Sequence, residues 1–335
     1  MRISFIIPAY NASKTIITCL DSIYSLPLQE YEYEVVVVDD CSTDNTINII
    51  NDYAQIHTNL VIFQQAQNKR QGAARNRGVK IAKGDYIAFV DADDEIVSEG
   101  IMNALDAVQK TEVDICYYDF EYEMPKDVWH RWSTSKELQN KIISSADYLN
   151  NHYTCDYNAP WRTLYKNSFL QKSNIAFEEG VRWEDCDWTI KVYYQSNTIQ
   201  FVEGVGYRYK YGENATSRQK TTQAMYERVL AGIRLLQFAH TCEYNGLKKI
   251  IQDEAYRQYI IAELRLRNLT KYSYKEIVRL LDLMEISKRQ YIYNHTNGWV
   301  SFFTKYTLLS KVLLFIACPI ACIGRKLMNL KRKLL

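Results

Sequence analysis

The sequence predicts an α/β protein: an open, mostly parallel sheet flanked by helices, with a helical C-terminal portion. Three observations carry this expectation. Short, continuous apolar runs rich in β-branched residues alternate with segments of helical period, and polar clusters fall at the ends of three of those runs.

Residues 3–9 (ISFIIPA) and 34–40 (EVVVVDD) read as strands buried on both faces, because neither alternates apolar with polar. Between them, Ile16, Ile17, Leu20, Ile23 and Tyr24 recur at helical spacing, and Pro27 ends the pattern. The cycle repeats. Residues 42–44 offer caps for a helix reaching about His57, and 60–64 make a third strand. A glycine-containing loop, a helix over 73–82 and a fourth strand at 86–90 follow. Beyond about residue 112 the pattern is mixed, with a strand at 114–121 and tryptophan-rich irregular segments to about 217. Three helical stretches then come at 222–244, 247–269 and 274–289.

With 335 residues and 47% apolar content, the chain has ample material for a buried core. The formal net charge of +2 hides an asymmetry: nine of the 41 Lys and Arg residues follow Glu285, and none of the 39 acids does. The remainder is net acidic, which argues against nucleic acid as a partner of the body. The eight cysteines (19, 41, 116, 155, 186, 242, 318 and 322) form no C-x-x-C pair, so reduced thiols are expected rather than a disulfide scaffold or structural zinc. The first residues hold too short an apolar run for a signal peptide and read as a strand. His152, His240 and His295 fit no metal or triad pattern.

In open α/β sheets, ligands bind beyond the carboxyl ends of the strands. Three clusters stand there: Pro8, Ala9, Tyr10 and Asn11; Asp39 and Asp40; and Asp91, Ala92, Asp93 and Asp94. Several carboxylates at the end of a buried strand are costly unless a cation or hydrogen-bond donors compensate them. Hard oxygen ligands of this kind suit Mg²⁺ or Mn²⁺, which also binds diphosphate; the competing reading is a turn of solvated aspartates. A carboxylate at 39–40 is placed to accept the imide N–H of uracil, against a plain helix-capping turn. Neither a dinucleotide-fold glycine fingerprint nor a P-loop follows any expected strand.

In PAYN at 8–11, VVDDCSTDNT at 37–46 and QGAARNRGVKIAKGDYIAFVDADD at 71–94, the chain resembles family 2 glycosyltransferases of the GT-A fold, of the bacterial surface-polysaccharide type. The resemblance continues through WRTLYKNSFLQKSNIAFEEGVRWED at 161–185 and YRYKYGENATSR at 207–218. It implies an inverting, metal-dependent transferase that uses a nucleotide sugar, usually UDP-linked, with Mn²⁺ or Mg²⁺ held at the Asp-x-Asp run. By position, Pro8, Ala9, Tyr10 and Asn11 would line the nucleotide pocket, and Asp40, with Asp39, would meet the base. Gly72 and Arg75 would lie near the donor; Asp93 would bind the metal, and Asp91, Ala92 and Asp94 the donor. The helix carrying Arg75 starts at the carboxyl edge, where its guanidinium could reach phosphate. Arg70, Arg77 and Lys80 are expected to face solvent.

Inversion needs a carboxylate to take the acceptor hydroxyl's proton, and Asp185 falls where the family's base motif stands. Glu184, Trp183 and Trp161 are the expected acceptor contacts, with Trp188 as a second wall. The competing reading is an acidic surface loop, since Glu178, Glu179 and Asp187 lie close by. Arg162 and Thr163 depart from the Asn-Lys pair common in the family. Arg208, Lys210 and Arg218 could neutralise diphosphate, although alternating Tyr and basic residues also describe a half-exposed strand.

The resulting organisation is a GT-A-like domain at 1–218, with a nucleotide-sugar half (1–120) and an acceptor half (121–218). A helical region at 219–297 and an apolar, basic tail at 298–335 follow. The uncharged run 312–323 is too short to span a bilayer. With Trp299, Phe302, Phe303 and the basic residues beyond Arg325, it suits an anchor on anionic lipid, which implies a cytoplasmic protein at the inner face of the plasma membrane. A saccharide or polyprenyl-linked acceptor would explain such a tail. The alternatives are a sugar-nucleotidyltransferase, disfavoured because residues 9–14 lack the glycine-rich loop such enzymes use, and an inactive scaffold of a polysaccharide-assembly complex. The sequence leaves the oligomeric state open.

Overall fold

The computed structural model describes residues 1–124, 128–153, 159–210, 221–243, 246–255 and 258. The chain divides into two units, Met1–Tyr272 and Ser273–Leu335; every described residue lies in the first. Arg218, His295, the helical stretch 274–289 and the tail 298–335 lie outside the described residues, as does most of the stretch expected at 247–269.

Four strands, β1 (Arg2–Ala9), β2 (Glu32–Asp39), β3 (Leu60–Gln64) and β4 (Tyr86–Phe89), alternate with helices α1 (Ile16–Tyr24), α2 (Thr46–Ala54) and α3 (Arg70–Ile81). They pair in parallel in the order β3-β2-β1-β4. Period-two geometry divides the apolar runs between two layers. Phe5, Ile7, Val35 and Val37 face the core that holds α1, whereas Ile6, Val36 and Val38 face the core that holds α3. This two-sided burial is why the runs are continuously apolar.

Past β4 the sheet changes character. A short strand β5 (Glu95–Ile96) and helix α4 (Ser98–Thr111) lead into β6 (Ile115–Met124) and its hairpin partner β7 (Val128–Trp132). Then come β8 (Ile142–Ser144), α5 (Ser145–Asp147), β9 (Thr163–Lys166), α6 (Asn167–Ser173), α7 (Asp185–Gln195), β10 (Thr198–Tyr209) and α8 (Thr222–Thr241). The ten-stranded sheet runs β3-β2-β1-β4-β9-β6-β10-β5, with β7 on β6 and β8 on β10. Parallel pairing thus dominates the first half. In the second half only β6 and β10 are parallel, and β9 joins the two halves by antiparallel pairing with both β4 and β6.

The stretch beyond the strand expected at 114–121, read as irregular to about 217, therefore contains four strands and three α-helices among its described residues. Strands β7, β8 and β9 are short, and Glu203, Gly204 and Gly206 interrupt the apolar run of β10, so no sustained apolar period marks them. Helix α8 fills most of the first C-terminal helical stretch, with Thr221 capping its first turn by accepting from the Ala224 N–H at 3.1 Å. No helix among the described residues is long and apolar enough to cross a membrane.

Candidate active site

Because β1, β2 and β4 are parallel and in register, their three polar clusters emerge at one edge of the sheet. The loops after β1 and β2 are stitched together. Asn11, at φ +51°, accepts the Thr43 N–H at 2.8 Å through Oδ1, and its own N–H donates to Ser42 Oγ at 2.9 Å. Ala12 N–H donates to Thr46 Oγ1 at 2.7 Å. Tyr10 is left 49% exposed, an open ring beside the Asp40 turn. Pro8 is partly covered and Ala9 buried; the Ala9 carbonyl accepts the Asp40 N–H at 2.8 Å.

Asp39 and Asp40 are both buried. Asp39 Oδ2 accepts from Ser42 N and Gln64 Nε2, so this residue shapes the turn. Asp40 Oδ1 accepts from Gln65 Nε2 at 2.6 Å and Lys69 N at 2.8 Å, while Oδ2 is buried without a partner among the described residues. Burial pushes the Asp40 carboxyl above its usual range against these bonds. A buried, oriented carboxylate oxygen with spare capacity is what a ligand N–H would complete.

The run at 91–94 divides its labour. Asp94 is buried and committed to β10: Oδ2 accepts from Tyr207 Oη and Oδ1 from Lys210 N, each at 2.8 Å. Burial, then the neighbouring Asp93 and Asp91, raise its pKa well above the ordinary value. The Asp91 N–H donates to Tyr207 Oη at 3.1 Å, and Asp91 Oδ1 accepts from Arg75 at 2.6 Å. Ala92 is buried. Asp93 is the most exposed of the four, though surrounded by protein; the lost hydration and then the Asp91 charge push it up to about 6.

Arg75, expected near the donor, is buried and engaged by two carboxylates. One guanidinium nitrogen donates to Asp91 and the other to Glu184 Oε1, at 2.6 and 2.5 Å. Burial opposes its charge, but Asp91, Glu184 and Asp185 outweigh that and hold it protonated. It is a strut between two carboxylate segments rather than a phosphate arm. Gly72, one turn earlier, lets α3 approach that second segment, since a Cβ there would stand 2.5 Å from the Glu178 carbonyl oxygen and 3.1 Å from Glu184 Cγ. Its part is close packing.

Trp183 has φ +63°, a conformation costing about 1–3 kcal/mol for a bulky residue. Helix α8 holds it there. The indole N–H donates to the Ala224 carbonyl at 3.2 Å, Arg228 lies 3.9 Å over the ring, and Arg234 bonds its carbonyl. This reversal precedes Glu184, which turns inward to Arg75, and Asp185, which opens α7 partly exposed. Burial and then the Glu184 charge push the Asp185 carboxyl up to about 7, against the pull of Arg75.

Several expected contacts are absent. Trp161 is 6% exposed, stacked on Tyr207 at 4.4 Å between ring centroids, so it offers no open wall for a sugar. Trp188 is in the core against Phe177 and Tyr165, and Trp183 is committed to α8. Arg208, on β10, pairs with Glu121 and Glu95, and Lys210, one residue past the end of that strand, pairs with Glu95. Arg77 stacks 3.8 Å over Phe63 and Arg70 pairs with Glu227, so of the three basic residues expected to face solvent only Lys80 does. The residue missed is Tyr207, whose hydroxyl joins Asp91 to Asp94; its one signal was the tyrosine repeat in the 207–218 segment.

A profile of glycosyl transferase family 2 matches residues 4–171, half of the chain, taking in β2, β3, β4 and all but the first two residues of β1. The chain belongs to glycosyl transferase family 2. Among curated family relatives, an uncharacterized glycosyltransferase, YibD of Escherichia coli, is 27% identical over 65% of this chain and 63% of its own length. A poly(ribitol-phosphate) beta-glucosyltransferase of Bacillus spizizenii is 31% identical over 62% of this chain, which spans only 32% of that protein. The fold matches that of Staphylococcus aureus TarS 1–349 in complex with UDP-GlcNAc, at a TM-score of 0.71 and 22% identity, over 93% of this chain and 89% of that one. A mannosyltransferase from Pyrobaculum calidifontis, solved with GDP-Man and Mn²⁺, aligns over 93% and 86% at a TM-score of 0.53 and 18% identity.

No group of three or more His, Cys, Asp or Glu side chains is gathered as a cation cage among the described residues. The donor set fits an ion completed by its substrate: Asp93 accepts no bond from another described side chain, and Mg²⁺-type ions take one or two carboxylates plus phosphate oxygens and water.

Proposed function

We propose that the chain transfers a sugar from a UDP-sugar to a saccharide or lipid-linked acceptor, with inversion, in the synthesis of a surface polysaccharide or glycolipid. The observation that carries this reading is the Arg75 strut, which ties the loop bearing Asp93 to the segment bearing Asp185.

In this reading Asp40 Oδ2 accepts the uracil imide N–H, and Tyr10 covers the base. Asp93 is the protein's ligand to Mn²⁺ or Mg²⁺, which when bound offsets charge on the departing diphosphate. Asp185 takes the proton of the acceptor hydroxyl. The freed oxygen attacks the anomeric carbon opposite the diphosphate, and the bond from that carbon to the diphosphate oxygen breaks. A carboxyl pushed to about 7 is a stronger base than an ordinary aspartate and is still ionised in about half of the molecules at neutral pH. Glu184 and Arg75 hold the base in place without touching the substrate.

The test is UDP release from a panel of UDP-sugars with Mn²⁺ and Mg²⁺. Asp93→Ala should abolish metal-dependent donor binding, and comparable UDP binding with and without metal in wild type would overturn the metal assignment. Pyrophosphate release from UTP and a sugar phosphate would instead mark a nucleotidyltransferase. The tail at 298–335 is proposed to dock on anionic membrane at the cytoplasmic face; flotation with phosphatidylglycerol vesicles, with and without those residues, tests it.

A further inference from the structure

The second half of the sheet carries two rungs of aromatic residues across three adjacent strands. In the inner rung, Tyr207 of β10 stands opposite Phe120 of β6, which stands opposite Trp132 of β7. In the outer rung, Tyr209 stands opposite Tyr122, and Tyr122 opposite His130. Residues paired across strands project to one face, and members two apart on a strand share it, so both rungs lie on the same side. The rings are in contact: Phe120 and Trp132 stack at 5.5 Å, Tyr122 and His130 at 5.6 Å. Trp161 stacks on both Tyr207 and Tyr209, at 4.4 and 5.7 Å.

The inner rung is core: Tyr207 and Phe120 are buried. Packing accounts for it. The outer rung is not, because Tyr209 and Tyr122 are partly exposed and His130 is exposed. The strip is continuous with the candidate site, since the hydroxyl of Tyr207 bonds both Asp94 Oδ2 and the Asp91 N–H. The outer rung also reaches the aspartate loop through the chain, because Tyr209 precedes Lys210, whose N–H donates to Asp94 Oδ1 at 2.8 Å.

We infer that the outer rung, Tyr209, Tyr122 and His130, is a subsite for the acceptor, which binds sugar rings of a saccharide chain beyond the one that receives the transferred sugar. This rests on the transferase reading above and names the acceptor class. A pyranose ring presents a face of C–H bonds with hydroxyls at its edge. Flat rings with polar rims match that better than aliphatic side chains do, and two phenols and an imidazole supply both parts. The closeness of Tyr209 to the loop at 91–94, through the Lys210 N–H on Asp94, favours a saccharide chain whose end lies at the site of transfer over an unrelated protein partner.

The experiment uses the full chain with UDP present and maltohexaose, cellohexaose and chitohexaose as probes, followed by saturation-transfer NMR of the saccharide protons. At least one hexasaccharide should receive saturation, with the matching monosaccharide at least fivefold weaker. Affinity should fall at least fivefold in His130→Ala with Tyr122→Ala, and Tyr122→Phe should restore it. If the double variant fails to fold, His130→Ala alone carries the comparison, because that side chain is exposed. Absence of transfer from all three hexasaccharides, or equal binding by the variants, overturns the subsite. A concentration-dependent dimer lost in His130→Ala assigns the strip to self-association instead. Thermal stabilisation by UDP is read in parallel: if UDP binds and no saccharide does, the subsite alone fails, whereas absence of UDP binding removes the donor reading.

Discussion

The Arg75 guanidinium lies 2.5 Å from Glu184 Oε1, an ion pair of two buried side chains 109 positions apart. Arg75 belongs to α3, beside the parallel half of the sheet, and Glu184 immediately precedes the proposed base. Breaking a buried pair by removing one partner leaves an uncompensated charge, which costs about 3–5 kcal/mol. Arg75→Ala should therefore lower unfolding stability by about that much in urea titration, because it strands both Glu184 and Asp91. Stability unchanged within about 1 kcal/mol would show that the pair is worth little.

Asp185→Asn keeps the side-chain shape and removes the basic oxygen. Transfer should drop by about 10² to 10⁴, while stabilisation by UDP stays close to wild type. A variant that retains transfer would take Asp185 out of the base role.

The pH dependence has a definite sign. Asp185 acts ionised, so kcat/KM should rise as pH increases through about 7 and flatten above it. Stability should move the other way. A carboxyl whose folded pKa is raised binds its proton more tightly when folded, so its contribution to stability falls between the unfolded value near 3.8 and about 7. Asp185→Asn should thus be more stable than wild type at pH 8 and lose that advantage at pH 4. Equal stability of the two at both values would mean that the carboxyl is unperturbed.

Asp40→Asn replaces an acceptor oxygen by an amide nitrogen or leaves a mispaired group. A hydrogen bond to a charged group contributes about 1.5–3 kcal/mol, so the Kd for UDP measured by calorimetry should rise about ten- to a hundredfold. Binding at wild-type strength would place the uracil elsewhere.

Gly72→Ala forces a methyl group against the Glu178 carbonyl oxygen, 2.5 Å from the ideal Cβ position. Backbone cannot yield as a flexible side chain does, so a loss of about 1–3 kcal/mol is expected in thermal or urea unfolding. Because the displaced segment leads to Glu184 and Asp185, transfer should suffer more than UDP binding. Equal losses in both would show that the contact does not position the base.

The sequence alone determined the parallel half of the fold and the three clusters at its edge. Continuous apolar runs are the signature of strands covered on both faces, and the carboxyl ends of such strands follow by topology. Asp40, Asp93 and Asp185 could be singled out as candidates because uncompensated acids beside strand ends, or within a segment that resembles the family, stand out in one dimension. Only the tertiary structure decided how the acids divide their work. Asp94 is spent on Tyr207 and Lys210, Asp91 is shared with Arg75, and Arg75 bridges Asp91 to Glu184. The antiparallel insertion of β9, the burial of Trp161 and Trp188 and the aromatic rungs on β6, β7 and β10 were equally hidden. Each depends on contacts between residues tens to over a hundred positions apart. Local period and composition report which face a residue prefers, whereas partners across that distance are set only when the sheet brings them together.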